Sequence, residues 1–166
     1  MITVDEALAR VLALAGPIRN EEIALSDGLG RVLAAPVHAR LTQPPFNAAA
    51  MDGYAIRRAD IDQPLPVIGE AAAGRPWPGQ AAPGTALRIF TGAPVPDGYD
   101  MVVMQEHVSR DGDVIRIITP SENDNIRPKG ADFEENSEFN PRRRLTPRDL
   151  ALIDSTLSSG SLAAAC

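Results

Sequence analysis

Cysteine is nearly absent from this chain. The single one, Cys166, excludes an intramolecular disulfide and any cysteine-based zinc site. Histidine is as scarce, and His38 and His107 are too few and too scattered for a histidine-rich metal site. Aromatic residues make up only 4%, so a core has to be assembled from Ala, Val, Leu and Ile. No apolar run approaches the ~18 residues that a membrane span requires. The opening MITVDEALAR carries acids where a secretory leader carries base. The expectation is a soluble, cytoplasmic chain with no membrane partner. Positive charge is short as well. A formal net charge of −6 argues against a nucleic-acid partner, which needs a basic surface, although a local basic pocket for an anion stays open. Of the 16 basic residues only Lys129 is a lysine, through compositional bias or because lysine is kept where function needs it. The one basic cluster, Arg142-Arg143-Arg144 with Arg148, reads as the solvated approach to a helix.

Proline and glycine are what the chain has in quantity, 15 and 13 residues, and they favour short strands and turns over long helices. Thr3-Val4-Asp5-Glu6 has capping-box spacing, and Val4, Ala7, Leu8, Val11, Leu12 and Ala15 follow at helical intervals up to Gly16-Pro17. Glu22–Leu25 reads as a strand, Ser26–Ala35 as a short helix and Val37–Leu41 as extended. Beyond Pro44 the pattern changes to short extended runs: Tyr54–Arg57, Val67–Ala71, Ala86–Phe90, Asp100–Glu106, His107–Arg110 and Val114–Ile118. Asp111-Gly112 marks a hairpin between the last two. Thr146-Pro147-Arg148-Asp149 starts a second helix, carried by Leu150, Ile153 and Leu157 and stopped near Gly160. Residues 161–166 carry no packing pattern. The fold class this predicts is α+β, with a strand-rich inserted domain on a small discontinuous helical base. The base takes residues 1–41 and 134–160, the insert 42–133, and 161–166 is a tail. The two helices are expected to pack their apolar stripes together, because neither is stable alone.

Three segments stand out. In Pro44-Pro45-Phe46-Asn47-Ala48-Ala49-Ala50-Met51-Asp52-Gly53-Tyr54-Ala55 one acid sits among small apolar residues, where burial is costly unless something pairs with it. Asp52 can hold a magnesium ion or a substrate group; Asp before Gly is equally a common turn pair. In Phe90-Thr91-Gly92-Ala93-Pro94-Val95-Pro96 the glycine allows close backbone approach. Thr91 and nearby amides can therefore face an anion, or simply close a strand. In Asn125-Ile126-Arg127-Pro128-Lys129-Gly130-Ala131-Asp132, Arg127 and Lys129 can pair Asp132, meet a phosphate, or form a surface salt bridge of ~0–1 kcal/mol.

In this order the three segments resemble the N-terminal half of the molybdopterin molybdenumtransferase family, which includes the E domain of gephyrin. The resemblance covers most of residues 1–150. It implies insertion of molybdate into adenylylated molybdopterin, with magnesium as cofactor, and a soluble homodimer working among other molybdenum cofactor biosynthesis proteins. It assigns catalytic roles to Asp52, Thr91 and Asp132, and substrate binding to Arg127, Lys129 and Glu106. Asp52 and Asp132 are its magnesium ligands, and Asp100 is a turn residue. Asp52, Thr91 and Asp132 are accordingly expected to converge on one groove of the inserted domain. In the family the cleft lies between the second domain of one subunit and the third of the other. Family members run to more than twice this length, so a truncated chain supplying one cleft wall is expected, with the third and fourth domains absent. The chain departs from the family in Glu134-Glu135-Asn136-Ser137-Glu138-Phe139-Asn140-Pro141, which lacks the glycines usual there. Two other readings remain: a non-catalytic dimerisation or partner-binding remnant, and an unrelated β domain that binds a small ligand.

Overall fold

Thr3 starts the first helix as its spacing predicts: the Glu6 amide donates to Thr3 Oγ1 at 3.2 Å, and α1 runs Val4–Leu14. The computed structural model describes residues 2–14, 16, 19–156 and 161–165. The strands in chain order are β1 (Asn20–Ala24), β2 (Val32–Leu33), β3 (Val37–His38), β4 (Ala48–Ala49), β5 (Gly53–Ile56), β6 (Leu65–Ala71) and β7 (Ala86–Ile89). They continue as β8 (Met101–Met104), β9 (Val108–Asp111), β10 (Val114–Ile117), β11 (Ile126–Arg127), β12 (Glu138–Phe139) and β13 (Ser161–Ala165). The second helix, α2, spans Pro147–Thr156. The fold is α+β, and the chain divides into two compact units, Met1–Arg40 with Glu135–Cys166, and Leu41–Glu134.

The discontinuous unit is less helical than the sequence suggests. Its core joins Leu25, Leu33, Leu145 and Ile153, with Ile23, Val37, Phe139 and Leu150 packed against them. Helix α2 therefore buries its stripe on strands and loops rather than on α1. Helix α1 has no buried residue, and Val11 remains 63% exposed, so the expected pairing of the two helices does not occur. The helix predicted over Ser26–Ala35 is also replaced. A 3₁₀ turn covers Leu25–Asp27, Gly30 turns left-handed at φ +75°, and the chain re-enters as β2. Residues 161–165 are a strand, not a tail: β13 lies between β1 and β2, with Ala165 opposite both Asn20 and Val32. Backbone hydrogen bonds need no side-chain pattern, which is why the Ser/Ala run carried no signal. In the glycine-free segment Asn136 takes φ +69°, which asparagine tolerates, and its amide donates to the Ala39 carbonyl. The segment then pairs as β12 with β3. The stop predicted near Gly160 lies outside the described residues.

One residue of the arginine cluster has a structural task. Arg143 pairs bidentately with Asp149, at 2.6 and 3.0 Å, and Asp149 is only 6% exposed. Asp149 also accepts from the Thr146 amide and hydroxyl, at 2.7 and 2.6 Å, while its own amide donates to Thr146 Oγ1. The helix start read from Thr146-Pro147-Arg148-Asp149 is thus a capping box, locked by an arginine the sequence reading left in solvent.

The second unit is built on a mixed six-stranded sheet in the order β8-β5-β7-β6-β10-β9, in which only β6 and β7 run parallel. β5 lies between β8 and β7 and is buried on both faces, so its apolar residues do not alternate with polar ones. Ala55, Leu87, Ile89 and Val102 pack on one side with Ala49, Ala93 and Tyr99. Tyr54, Ile56, Ala86, Met101 and Val103 pack on the other with Leu65 and Ile115. The β9–β10 hairpin closes through Gly112 at φ +58°, with Asp111 opposite Val114. This is the turn that Asp111-Gly112 predicts.

Candidate functional site

Register decides which residues meet at the end of this sheet. Gly53, the first residue of β5, sits opposite Ile89 of β7 and Met104 of β8. The residue before β5 and the residues after β7 and β8 are therefore brought together: Asp52, Phe90-Thr91 and Gln105. The Thr91 amide and hydroxyl both donate to Asp52 Oδ1, at 2.8 and 2.7 Å. Among the described residues nothing donates to Oδ2. The Gln105 amide donates to the Asp52 carbonyl at 3.1 Å. Asp52 is exposed, so the costly burial of an isolated acid is avoided by placing it at the strand end.

The Thr91 amide, then its hydroxyl and, more weakly, the Arg88 charge hold the Asp52 carboxyl below the usual carboxylate range. Partial desolvation opposes them and loses. Asp52 is thus an anion at neutral pH, with one oxygen tied down and the other open. Thr91→Val, which keeps the amide and removes the hydroxyl, is expected to raise the titration midpoint of Asp52. An NMR pH titration of its carboxyl carbon reads this, and an unchanged midpoint would overturn the assignment.

Arg127 lies on β11, which pairs antiparallel with β4, Arg127 opposite Ala48. Its guanidinium forms an ion pair with Asp132. The Lys129 amide donates to Asn47 Oδ1 at 2.9 Å, and Lys129 is exposed. The Gly130 amide donates to the Pro44 carbonyl and the Asp132 amide to that of Gln43, at 2.9 and 3.0 Å. On its other side β4 meets the Thr91 turn: the Gly92 amide donates to the Ala49 carbonyl at 2.8 Å, and the Ala49 amide to that of Ala93 at 2.9 Å. The structure therefore forms two clusters, Asp52 with Thr91 and Arg127 with Asp132, hung on one short strand. It places no direct bond between them.

Glu106 belongs to the first cluster through neighbours that sequence reasoning missed. Gln105 Nε2 donates to Glu106 Oε1 at 3.2 Å, and Arg88 donates to Gln105 Oε1 at 2.7 Å. The only hint of Arg88 in the sequence is that it interrupts an apolar strand. Asn47 had no signal of its own. Asp100, read as a turn residue, lies instead just before β8 and accepts from the Arg58 amide at 2.6 Å, 42 residues away. A groove of about 480 Å³ opens elsewhere, lined by Trp77, Gln80, Pro94, Pro96 and Asp97, and none of the predicted site residues lines it.

A family model described as the MoeA N-terminal region, domains I and II, matches residues 2–156. The chain belongs to the MoeA family. It is 35% identical over 161 residues to the molybdopterin molybdenumtransferase of Haemophilus influenzae, covering 93% of this chain and 40% of that protein. It is 33% identical to gephyrin of Dictyostelium discoideum, over 80% of this chain and 21% of that one. Among solved structures it superposes on the molybdopterin biosynthesis moeA protein of Pyrococcus horikoshii with a TM-score of 0.75 at 32% identity. That match covers 88% of this chain and 41% of the other. The chain thus spans about 40% of the length of the first MoeA relatives it matches. The relatives are molybdopterin molybdenumtransferases, and no helix among the described residues is long and apolar enough to cross a membrane.

Among the described residues no three His, Cys, Asp or Glu side chains gather to hold a metal. A protein-only cage is therefore missing among those residues. Magnesium seldom needs one, since it keeps several waters and takes one or two carboxylates together with substrate phosphates. The open oxygen of Asp52 fits that requirement. Asp132 is already neutralised by Arg127, which suits a substrate-facing role better than a metal-binding one.

Proposed function

We propose that this chain acts in molybdenum cofactor biosynthesis as one wall of the cleft in which molybdate is inserted into adenylylated molybdopterin. The observation that carries this reading is the Asp52–Thr91 pair: an exposed carboxylate kept ionised by two short bonds to one oxygen, with the other left for a ligand. Asp52 would hold magnesium, which when bound offsets charge developing on the phosphates. Thr91 keeps Asp52 anionic and oriented. The exposed Lys129 supplies positive charge for the nucleotide phosphates, and Arg127, whose charge Asp132 offsets, offers them the remaining N–H donors of its guanidinium. Glu106 lies one residue beyond Gln105 and faces the same end of the sheet through it.

The reading makes the chain a half-site. Charges must be held on both sides of a substrate to stabilise its transition state, and a single exposed wall leaves most of a ligand in water. The expected result is no turnover by the purified chain with molybdate, magnesium and adenylylated molybdopterin. Weak binding is expected, with amide shift changes centred on Asp52, Thr91 and Arg127. Asp52→Ala should remove the magnesium dependence of that binding, and Arg127→Ala should weaken it with or without the metal. Shift changes confined to another face would favour a partner-binding module instead. Turnover that disappears in Asp52→Ala would show that these residues are a complete enzyme.

A further inference from the structure

Arg88 is an arginine on a central strand of a buried sheet, and its contacts are unusually directed. It sits on β7 opposite Tyr54 of β5. Its guanidinium lies 5.1 Å from the Tyr54 ring centre and 4.5 Å from that of Phe90. One amino group donates to the Gly53 carbonyl at 3.0 Å, and the other to Gln105 Oε1 at 2.7 Å. Gln105 in turn holds the Asp52 carbonyl through its amide and Glu106 through its side chain. The same strand exit that carries Arg88 carries Thr91, which binds the Asp52 carboxylate.

We propose that Arg88 is the positioning residue of this site, fixing the Asp52 strand end and the Gln105-Glu106 turn against each other from behind. The proposal rests on the reading that Asp52 and Glu106 face a ligand, and it adds what sets their spacing. Two donors in a rigid planar fork reach two different chain segments at once, while the ring faces keep that plane from turning. A lysine has the charge but neither the fork nor the flat face. Without Arg88 the exposed Gln105-Glu106 turn keeps its backbone bond to Asp52 but loses the side-chain clamp that orients it.

The test compares Arg88→Lys and Arg88→Met with the wild-type chain, free of ligand, by NMR. Expected in both variants is a fall of the Gln105 and Glu106 amide order parameters from ~0.85 toward ~0.6. Amides of β6 and β10 should stay as ordered as before, and lysine should not rescue the turn although it restores the charge. The proposal is overturned if Gln105 and Glu106 keep wild-type order in both variants. It is equally overturned if Arg88→Lys restores them fully, or if they loosen only together with the whole sheet, as a merely structural role requires. No ligand enters this experiment. It can therefore fail while adenylylated molybdopterin still binds at Asp52, and succeed where that binding is not found.

Discussion

Gly53→Ala should prevent the Leu41–Glu134 unit from folding. A Cβ on Gly53 would stand 1.9 Å from the Val103 carbonyl oxygen, 2.8 Å from its carbon and 3.0 Å from the Met104 Cα. All three are main-chain atoms of β8, so no side chain can swing aside. The β5–β8 pairing would have to open along its buried length, which removes Ala55, Val102 and Val103 from the core. The loss is expected to exceed ~4 kcal/mol, beyond the range of ordinary substitutions. Soluble yield and thermal unfolding monitored by circular dichroism measure it. Gly112→Asn is the control: a Cβ at Gly112 meets nothing within 4 Å, and asparagine tolerates its φ of +58°. A Gly53→Ala chain that melts within a few degrees of wild type would mean that β5 and β8 are not paired in this register.

Asp149→Ala is expected to destabilise the discontinuous unit by about 3 kcal/mol, from a lost cap at ~1 kcal/mol and lost charge-assisted bonds at ~1.5–3 kcal/mol. Its pH dependence is more diagnostic. Bonds from Arg143 and then from Thr146 hold the Asp149 carboxyl far below its usual value of 3.8. A depressed folded-state value means that the contribution is present in full above the unfolded value and is lost as pH falls below it. Wild-type stability should therefore be level from neutral pH down to about 5 and then decline steeply. Asp149→Asn should start lower and decline less. Protection of the α2 amides against hydrogen exchange across that pH range reads this locally, without assuming that both units unfold together. Parallel acid limbs in the two proteins would remove Asp149 as the titrating group.

Several features were legible because they are set within a few residues. Thr146 and Asp149 are three apart, so their capping box is a local arrangement that the sequence announces. Asp111-Gly112 is a hairpin turn because glycine alone enters the left-handed region freely. The MoeA motifs pointed to Asp52, Thr91, Arg127 and Asp132, and the structure pairs them two by two. Legibility ended where the partner lay far along the chain. Nothing near Arg143 said that its guanidinium would turn back onto Asp149. The apolar stripe of α1 promised a buried helix, yet Ile153 and Leu150 found their neighbours in Leu25, Leu33 and Phe139 instead.

The sequence by itself determined the local geometry and the inventory: where turns and caps fall, which acids are available, and which family the chain joins. Backbone sterics and short-range hydrogen bonds act there, and they are written in adjacent residues. Only the tertiary structure decided what those acids touch. Asp52 is an oriented anion because β5 is paired between β7 and β8 in a register that delivers Thr91 and Gln105 to it from 39 and 53 residues away. A one-residue slip in either pairing would turn those side chains to the opposite face. Strand register is a property of the whole sheet's packing, so the candidate site came into being only when the sheet did.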